Sequence, residues 1–82
     1  MYTVYILRSV KTGRYYCGST QDMGNRLREH NAGENVSTRH GVPRECLHTE
    51  EFDDRKEAVT REKEIKSRGM ARYLTDHQQN PG

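Results

Sequence analysis

Long apolar runs are missing from this chain. The strongest candidate, Val4 to Leu7, is far shorter than the apolar stretch of a signal peptide, and no segment approaches the ~20 residues that a membrane span needs. The chain is therefore expected to stay in the cytoplasm. Cysteine is scarce as well. Cys17 and Cys46 are the only two, with neither the CxxC spacing of a redox or zinc motif nor the number for a disulfide framework. They read as reduced core thiols, and a Cys17/His30/Cys46 zinc site lacks paired spacing. Hydrophobic residues make up only 30% of the 82 residues, and mean hydropathy is −1.18. Such a balance would suit disorder, but the net charge is only +2 and the apolar positions are clustered and periodic. What is left is a small folded domain with a single core, at a size where folding buries only about 60% of the unfolded chain's surface.

Charge is spread unevenly. Met1 to Arg44 carries seven Lys/Arg against three acidic residues, whereas from Glu45 onward there are seven against nine. A basic first part suits a surface that meets a polyanion, although a solvated face looks much the same.

Tyr2 to Ser9 is dense in β-branched and aromatic residues with apolar side chains on both faces, which predicts a central strand. Lys11-Thr12-Gly13-Arg14 supplies a loop, and Tyr15 to Ser19 predicts the second strand of an antiparallel hairpin, with Gly18 ending it. Loop length leaves the register open, and with it whether Tyr5 comes near Tyr16 across the sheet. Asp22 or Thr20 can cap a helix running to about Asn31. Ala32 to Pro43, rich in Gly, Asn and Ser and without a period, is a loop. Glu45 to Phe52 reads as a third strand with Cys46 and Leu47 as its apolar contributors. Asp54-x-x-Glu57 looks like a capping box opening a helix to about Ser67. Beyond Gly69, residues Met70, Tyr73, Leu74 and His77 keep the i, i+3, i+4, i+7 spacing of a short last helix. The expected fold class is α+β, a three-stranded antiparallel sheet flanked by helices, with residues 1–78 as one domain and 79–82 as a frayed tail.

Two of these helices carry charge where their pattern asks for a hydrophobe. At about 100° per residue, Arg26 and His30 share the face of Met23 and Leu27, and Glu62 falls inside the stripe of Ala58, Val59 and Ile65. Placing charge there costs desolvation unless a partner is present. The plain reading is an Arg26–Glu62 ion pair, or an i, i+4 pair of Glu62 with Lys66. A buried ion pair stabilises poorly compared with packed apolar residues, which turns attention to a functional site.

Four groups of residues, in order and spacing, resemble the GIY-YIG nuclease superfamily, above all its small stand-alone bacterial members. They are Val4-Tyr5-Ile6; Tyr16-Cys17-Gly18-Ser19-Thr20 with Asp22; Arg26-Leu27-x-x-His30-Asn31; and Ala58-x-x-Arg61-Glu62-x-x-Ile65-Lys66. Thr3 stands where the first motif usually has glycine, and Cys17 where the second has isoleucine. The resemblance implies divalent-metal-dependent hydrolysis of DNA phosphodiesters, with Tyr5, Tyr16, Arg26, His30 and Glu62 as catalytic residues and Glu62 as the carboxylate holding one Mg²⁺ or Mn²⁺.

The chemistry suits those residue types. Arg26 offers a planar fork to two phosphate oxygens, and a hard cation that keeps its waters needs few protein ligands. Tyr5 or Tyr16 would be the general base if Arg26 and the metal lower its pKa from ~10. Tyr5 is the first choice, though the sequence does not separate the two, and His30 would serve as proton shuttle or phosphate donor. Lys11, Arg14, Ser19, Arg39 and Arg44 are candidate nucleic-acid contacts, while Arg39, His40 and Arg44 read equally well as solvated loop charges. The expected activity is that of a structure-selective or weakly sequence-specific endonuclease in DNA repair or processing, with RNA left open as a substrate and no membrane contact. No separate recognition domain is present, so specificity would come from a partner protein, a weak homodimer or DNA shape. The alternatives are a non-catalytic nucleic-acid-binding module using the same basic face, and a protein-interaction domain.

Overall fold

A computed structural model of the chain describes residues 1–34 and 41–78. Its elements follow in the order β1 (Tyr2–Ser9), β2 (Tyr15–Thr20), α1 (Met23–Asn31), β3 (Arg44–Phe52), α2 (Arg55–Arg68) and α3 (Met70–Gln78). The three strands form one antiparallel sheet in the order β2-β1-β3, so the fold is the α+β arrangement expected. No helix among the described residues is long and apolar enough to cross a membrane.

The central position of β1 follows from its composition. Val4, Tyr5, Ile6 and Leu7 are all buried, as a strand covered on both faces requires. Alternation sends Val4 and Ile6 to one face, where they pack with Cys17, Ala58, Ile65, Tyr73 and Leu74 in the core beneath α2 and α3. Tyr5 and Leu7 point to the other face. The turn into β2 is held by Ser9, whose Oγ accepts from the backbone N–H groups of Lys11 and Thr12 at 3.1 and 2.9 Å. Gly13 closes it with φ at 77°, a conformation that side chains with a Cβ resist. Gly18 was expected to end β2, but the strand continues to Thr20 with Gly18 paired opposite Tyr5.

On the other side of β1 the register shifts between Ile6, opposite His48, and Leu7, opposite Cys46. Leu47 is the extra residue of this bulge, and it packs against the core while Cys46 stays exposed. The expectation that both cysteines are core thiols thus holds for Cys17 alone, because the bulge turns Cys46 outward.

Caps set the helices. Asp22 accepts from the N–H of Asn25 at 3.1 Å to start α1, and Asp54 from that of Lys56 at 2.8 Å to start α2. Gly69, with φ at 95°, ends α2 and lets α3 fold back. One polar network then joins β3, α2 and α3. The Tyr73 hydroxyl donates to Glu50, Arg61 pairs with the same carboxylate and donates to Tyr73 Oη at 2.8 Å, and His48 Nε2 lies 2.8 Å from Glu50. Burial alone would push the Glu50 carboxyl up, but Tyr73, His48 and Arg61 together hold it below its ordinary value.

Since the folded-state pKa of Glu50 lies below that of the unfolded chain, its ionised form contributes stability above about pH 4, and this is lost as pH falls through the folded value. Thermal melts from pH 7 to pH 3 should therefore show a steeper loss for the wild type than for Glu50→Gln. Urea unfolding at pH 7 should place Tyr73→Phe about 1–3 kcal/mol below wild type, the cost of leaving buried polar partners unmatched.

Candidate active site

Register decides which side chains meet on the face away from the main core. Tyr5 lies opposite Gly18 and Tyr16 opposite Leu7, so Tyr5, Gly18 and Tyr16 share that face, the two tyrosines as diagonal neighbours. Their ring centroids are 6.3 Å apart. A Cβ at Gly18 would stand 2.7 Å from the Tyr5 hydroxyl and 3.2 Å from Tyr16 Cε2. The glycine is thus the space through which Tyr5 extends, and its hydroxyl reaches Nε2 of His30 at 3.0 Å.

Helix α1 forms the facing wall. His30 is fully buried, its ring centroid 5.8 Å from that of Tyr5 and 5.1 Å from that of Tyr16. Arg26, one turn earlier, is half-buried, and its Nε sits 3.7 Å from Glu29. Glu62 on α2 accepts from Lys66 Nζ at 2.6 Å. Of the two plain readings, the i, i+4 pair is the one formed: Arg26 and Glu62 each pair within their own helix. Both charges nonetheless act on Tyr5, Arg26 lowering and Glu62 raising the pKa of its hydroxyl.

Arg26 acts on Tyr5 in the expected, lowering direction, but burial, followed by the neighbouring Tyr16, outweighs it and drives the hydroxyl well above its ordinary value. His30 moves the other way. Burial, then Arg26 and Arg44, depress its pKa, so the ring is held neutral. Between them sits one hydrogen bond joining a protonated phenol to a neutral imidazole. Cys17, behind the same strand, is pushed up to about 11 by burial with Glu62 adding to it, which leaves it a thiol and a packing residue.

The remaining predicted contacts are scattered. Ser19 is half-buried on β2 and lines a groove beside Arg26, and Lys11 and Arg14 are exposed in the β1–β2 turn. Arg44, read equally well as a nucleic-acid contact or a solvated loop charge, is instead buried. It is 8% exposed, its Nη1 donates to the carbonyl of Arg14 at 3.3 Å, and its own backbone is gripped by the Asn31 side chain through bonds of 2.7 and 3.2 Å. The guanidinium fills space that Gly41 leaves open, where a Cβ would meet Arg44 Cζ at 2.9 Å. Arg39 and His40 lie outside the described residues. Asn31 closes the third motif, but nothing in its spacing shows which backbone it holds. Lys66 closes the fourth, and beyond that was read only as an i, i+4 partner of Glu62.

All five converging positions fall within a match to one family model, the GIY-YIG catalytic domain, over residues 1–79. The chain belongs to the GIY-YIG family, a nuclease-type fold. It is similar to a UPF0213 protein of Halobacterium salinarum, 42% identical over 72 residues that cover 87% of this chain and 92% of that protein. A UPF0213 protein of Natronomonas pharaonis is 43% identical over 70 residues, 84% of this chain and 81% of its own length. One from Haloquadratum walsbyi is 51% identical over 53 residues, 63% and 60% of the two chains. No solved structure matches.

Nucleases of this family generally use divalent metal ions, and the donor set here suits one kind. Among the described residues no group of three or more His, Cys, Asp or Glu converges, which excludes a closed zinc centre built from them. Glu62 is a single half-buried carboxylate with an exposed lysine on it. That fits a hard cation that keeps most of its waters and takes the rest of its ligands from a phosphate.

Gly18→Ala should lower stability by about 1–3 kcal/mol, the usual cost of overpacking a filled site, and should displace Tyr5 from His30. Chemical denaturation measures the first effect. Histidine NMR reads the second, as a rise in the His30 pKa toward its ordinary value.

Proposed function

We propose that the chain is a divalent-metal-dependent endonuclease that hydrolyses DNA phosphodiester bonds, structure-selective or weakly sequence-specific. The observation that carries this reading is the buried Tyr5–His30 hydrogen bond with the opposite charges of Arg26 and Glu62 both acting on Tyr5. Arg26 binds the phosphate oxygens through its fork and stabilises the negative charge that grows on them during attack. Glu62 would hold the ion, which when bound supplies further positive charge for the phosphate.

Tyr5 is a poor base if it must first ionise, given its raised pKa. Proton relay avoids that cost. As the water oxygen attacks phosphorus, its proton passes to Tyr5 Oη while the tyrosine proton passes to His30 Nε2, leaving a neutral phenol and an imidazolium. The P–O ester bond then breaks, and the departing alkoxide takes a proton from solvent. Tyr16, beside both rings, positions the water with its hydroxyl.

With branched, nicked and single-stranded DNA in Mg²⁺ or Mn²⁺, the wild type should cleave. Glu62→Ala should bind the same DNA without cutting it. Arg26→Ala should lose on the order of 10²–10³ in turnover, and Arg26→Lys should recover little of it because one ammonium does not replace the fork. Tyr5→Phe should cost on the order of 10²–10⁴. The acid limb of the rate profile should lie below about pH 6.5, since the relay needs neutral His30 and its pKa is depressed. Salt-sensitive binding that persists in EDTA with no cleavage under any condition would instead make this a binding module.

A further inference from the structure

A second feature lies beside the catalytic cluster, and its reading rests on the nuclease reading above. An open groove of about 410 Å³ runs along the ends of β1 and β2 and the starts of α1 and α2. Arg26 lines it and so belongs to both the site and the groove. Arg55, the first residue of α2, lines it as well, together with Ser19 of β2 and Tyr2 of β1, whose half-buried ring also packs against the core. We propose that this groove carries one unpaired DNA strand away from the scissile phosphate, with Arg55 holding a neighbouring phosphate and Tyr2 offering its ring to a base.

Three observations support the assignment. The acidic groups in the groove are already engaged: Asp22 accepts from the N–H of Asn25 at 3.1 Å, and Glu29 takes the Asn25 side chain at 3.2 Å and Arg26 Nε at 3.7 Å. Arg55, in contrast, is exposed and has no ion pair among the described residues. Two arginines from separate helices therefore line one groove, and the second has no ion pair among the described residues. Lastly, an arginine that can hold a phosphate beside an aromatic ring is the usual kind of platform for unpaired nucleotides.

The test uses the full chain in EDTA, so that binding is read without cleavage, and follows the fluorescence anisotropy of a labelled single-stranded oligonucleotide at several salt concentrations. Arg55→Ala should weaken binding about 10-fold and reduce the slope of log K against log salt by about 0.7, the loss of one single-strand phosphate contact. Arg55→Lys should restore the slope. Tyr2→Ala should weaken binding about 10-fold with no change in slope, and Tyr2→Phe, which keeps both the ring and the packing, should bind as the wild type does. A blunt duplex should respond to neither position. Melting temperatures equal to wild type for Arg55→Ala would confirm that the fold is untouched. If Arg55→Ala binds with wild-type affinity and slope while Arg26→Ala is weakened, the groove assignment is wrong and the nuclease reading stands. If Arg26→Ala and Glu62→Ala cleave like wild type, the nuclease reading itself is lost.

Discussion

The hydrogen bond between Tyr5 and His30 is the constraint on which the rest of the arrangement depends. Both residues are inside the protein, at 2% and 0% exposure, so losing either partner would strand a polar atom at a cost of about 1–3 kcal/mol. Making the bond imposes conditions on three elements at once. The residue opposite Tyr5 must lack a Cβ, which Gly18 satisfies. Helix α1 must begin where Asp22 caps it, so that its last turn delivers His30 to the strand. The start of β3 must be tied to that same turn, which Asn31 does through the backbone of Arg44. Among the described residues no buried side-chain nitrogen or oxygen is left without a partner.

Strand β1 serves two interiors. Val4 and Ile6 belong to the core under α2 and α3, and Tyr5 between them belongs to the site. With a period of two, a slip of one residue would exchange the sets, sending a phenol into the apolar core and a valine to the histidine. Core packing therefore fixes the register of the site. The bulge at Leu47 sharpens this division, since it allows His48 and Glu50 to meet α2 and α3 while the first residues of β3 stay in register with Leu7, Arg8 and Ser9. The geometry of the candidate site and the stability of the fold are thus set by the same run of four buried residues.

How much of this was legible in the sequence depended on whether a feature is local. Strand β1, the Asp22 and Asp54 caps and the break at Gly69 follow from short-range chemistry, and their positions matched within about two residues, the usual scatter of element ends. Arg26, His30 and Glu62 were visible because charge interrupted an apolar stripe. The hairpin register was not visible, and with it went the role of Gly18, because a loop of that length permits several pairings. Burial of Arg44 was hidden for a similar reason. A cation in a Gly-rich stretch looks solvated until the fold closes over it. The weight of burial against Arg26 at Tyr5 was not visible, because the sequence shows which charges are near but not how thoroughly water is excluded. Arg55 carried no signal at all, since one arginine at the start of a helix is ordinary until a groove places it opposite another.

Two carboxylates show how the molecule separates what must be fixed from what must exchange. Glu50 is held by Tyr73, Arg61 and His48 from three elements, and an ion approaching it would have to displace all of them together. Among the described residues Glu62 pairs with Lys66 alone, one turn along the same helix, and that ammonium is 52% exposed. An i, i+4 pair of this kind contributes only about 0.2–0.5 kcal/mol, so an incoming cation meets almost no resistance from it. The lysine itself lies near the site, with Cys17 and Tyr16 both within reach of its charge. Its departure would leave a positive group at the rim of the site, where a phosphate has to enter. A weak pair at Glu62 is thus compatible with the metal role proposed above, which the tightly held network around Glu50 is not.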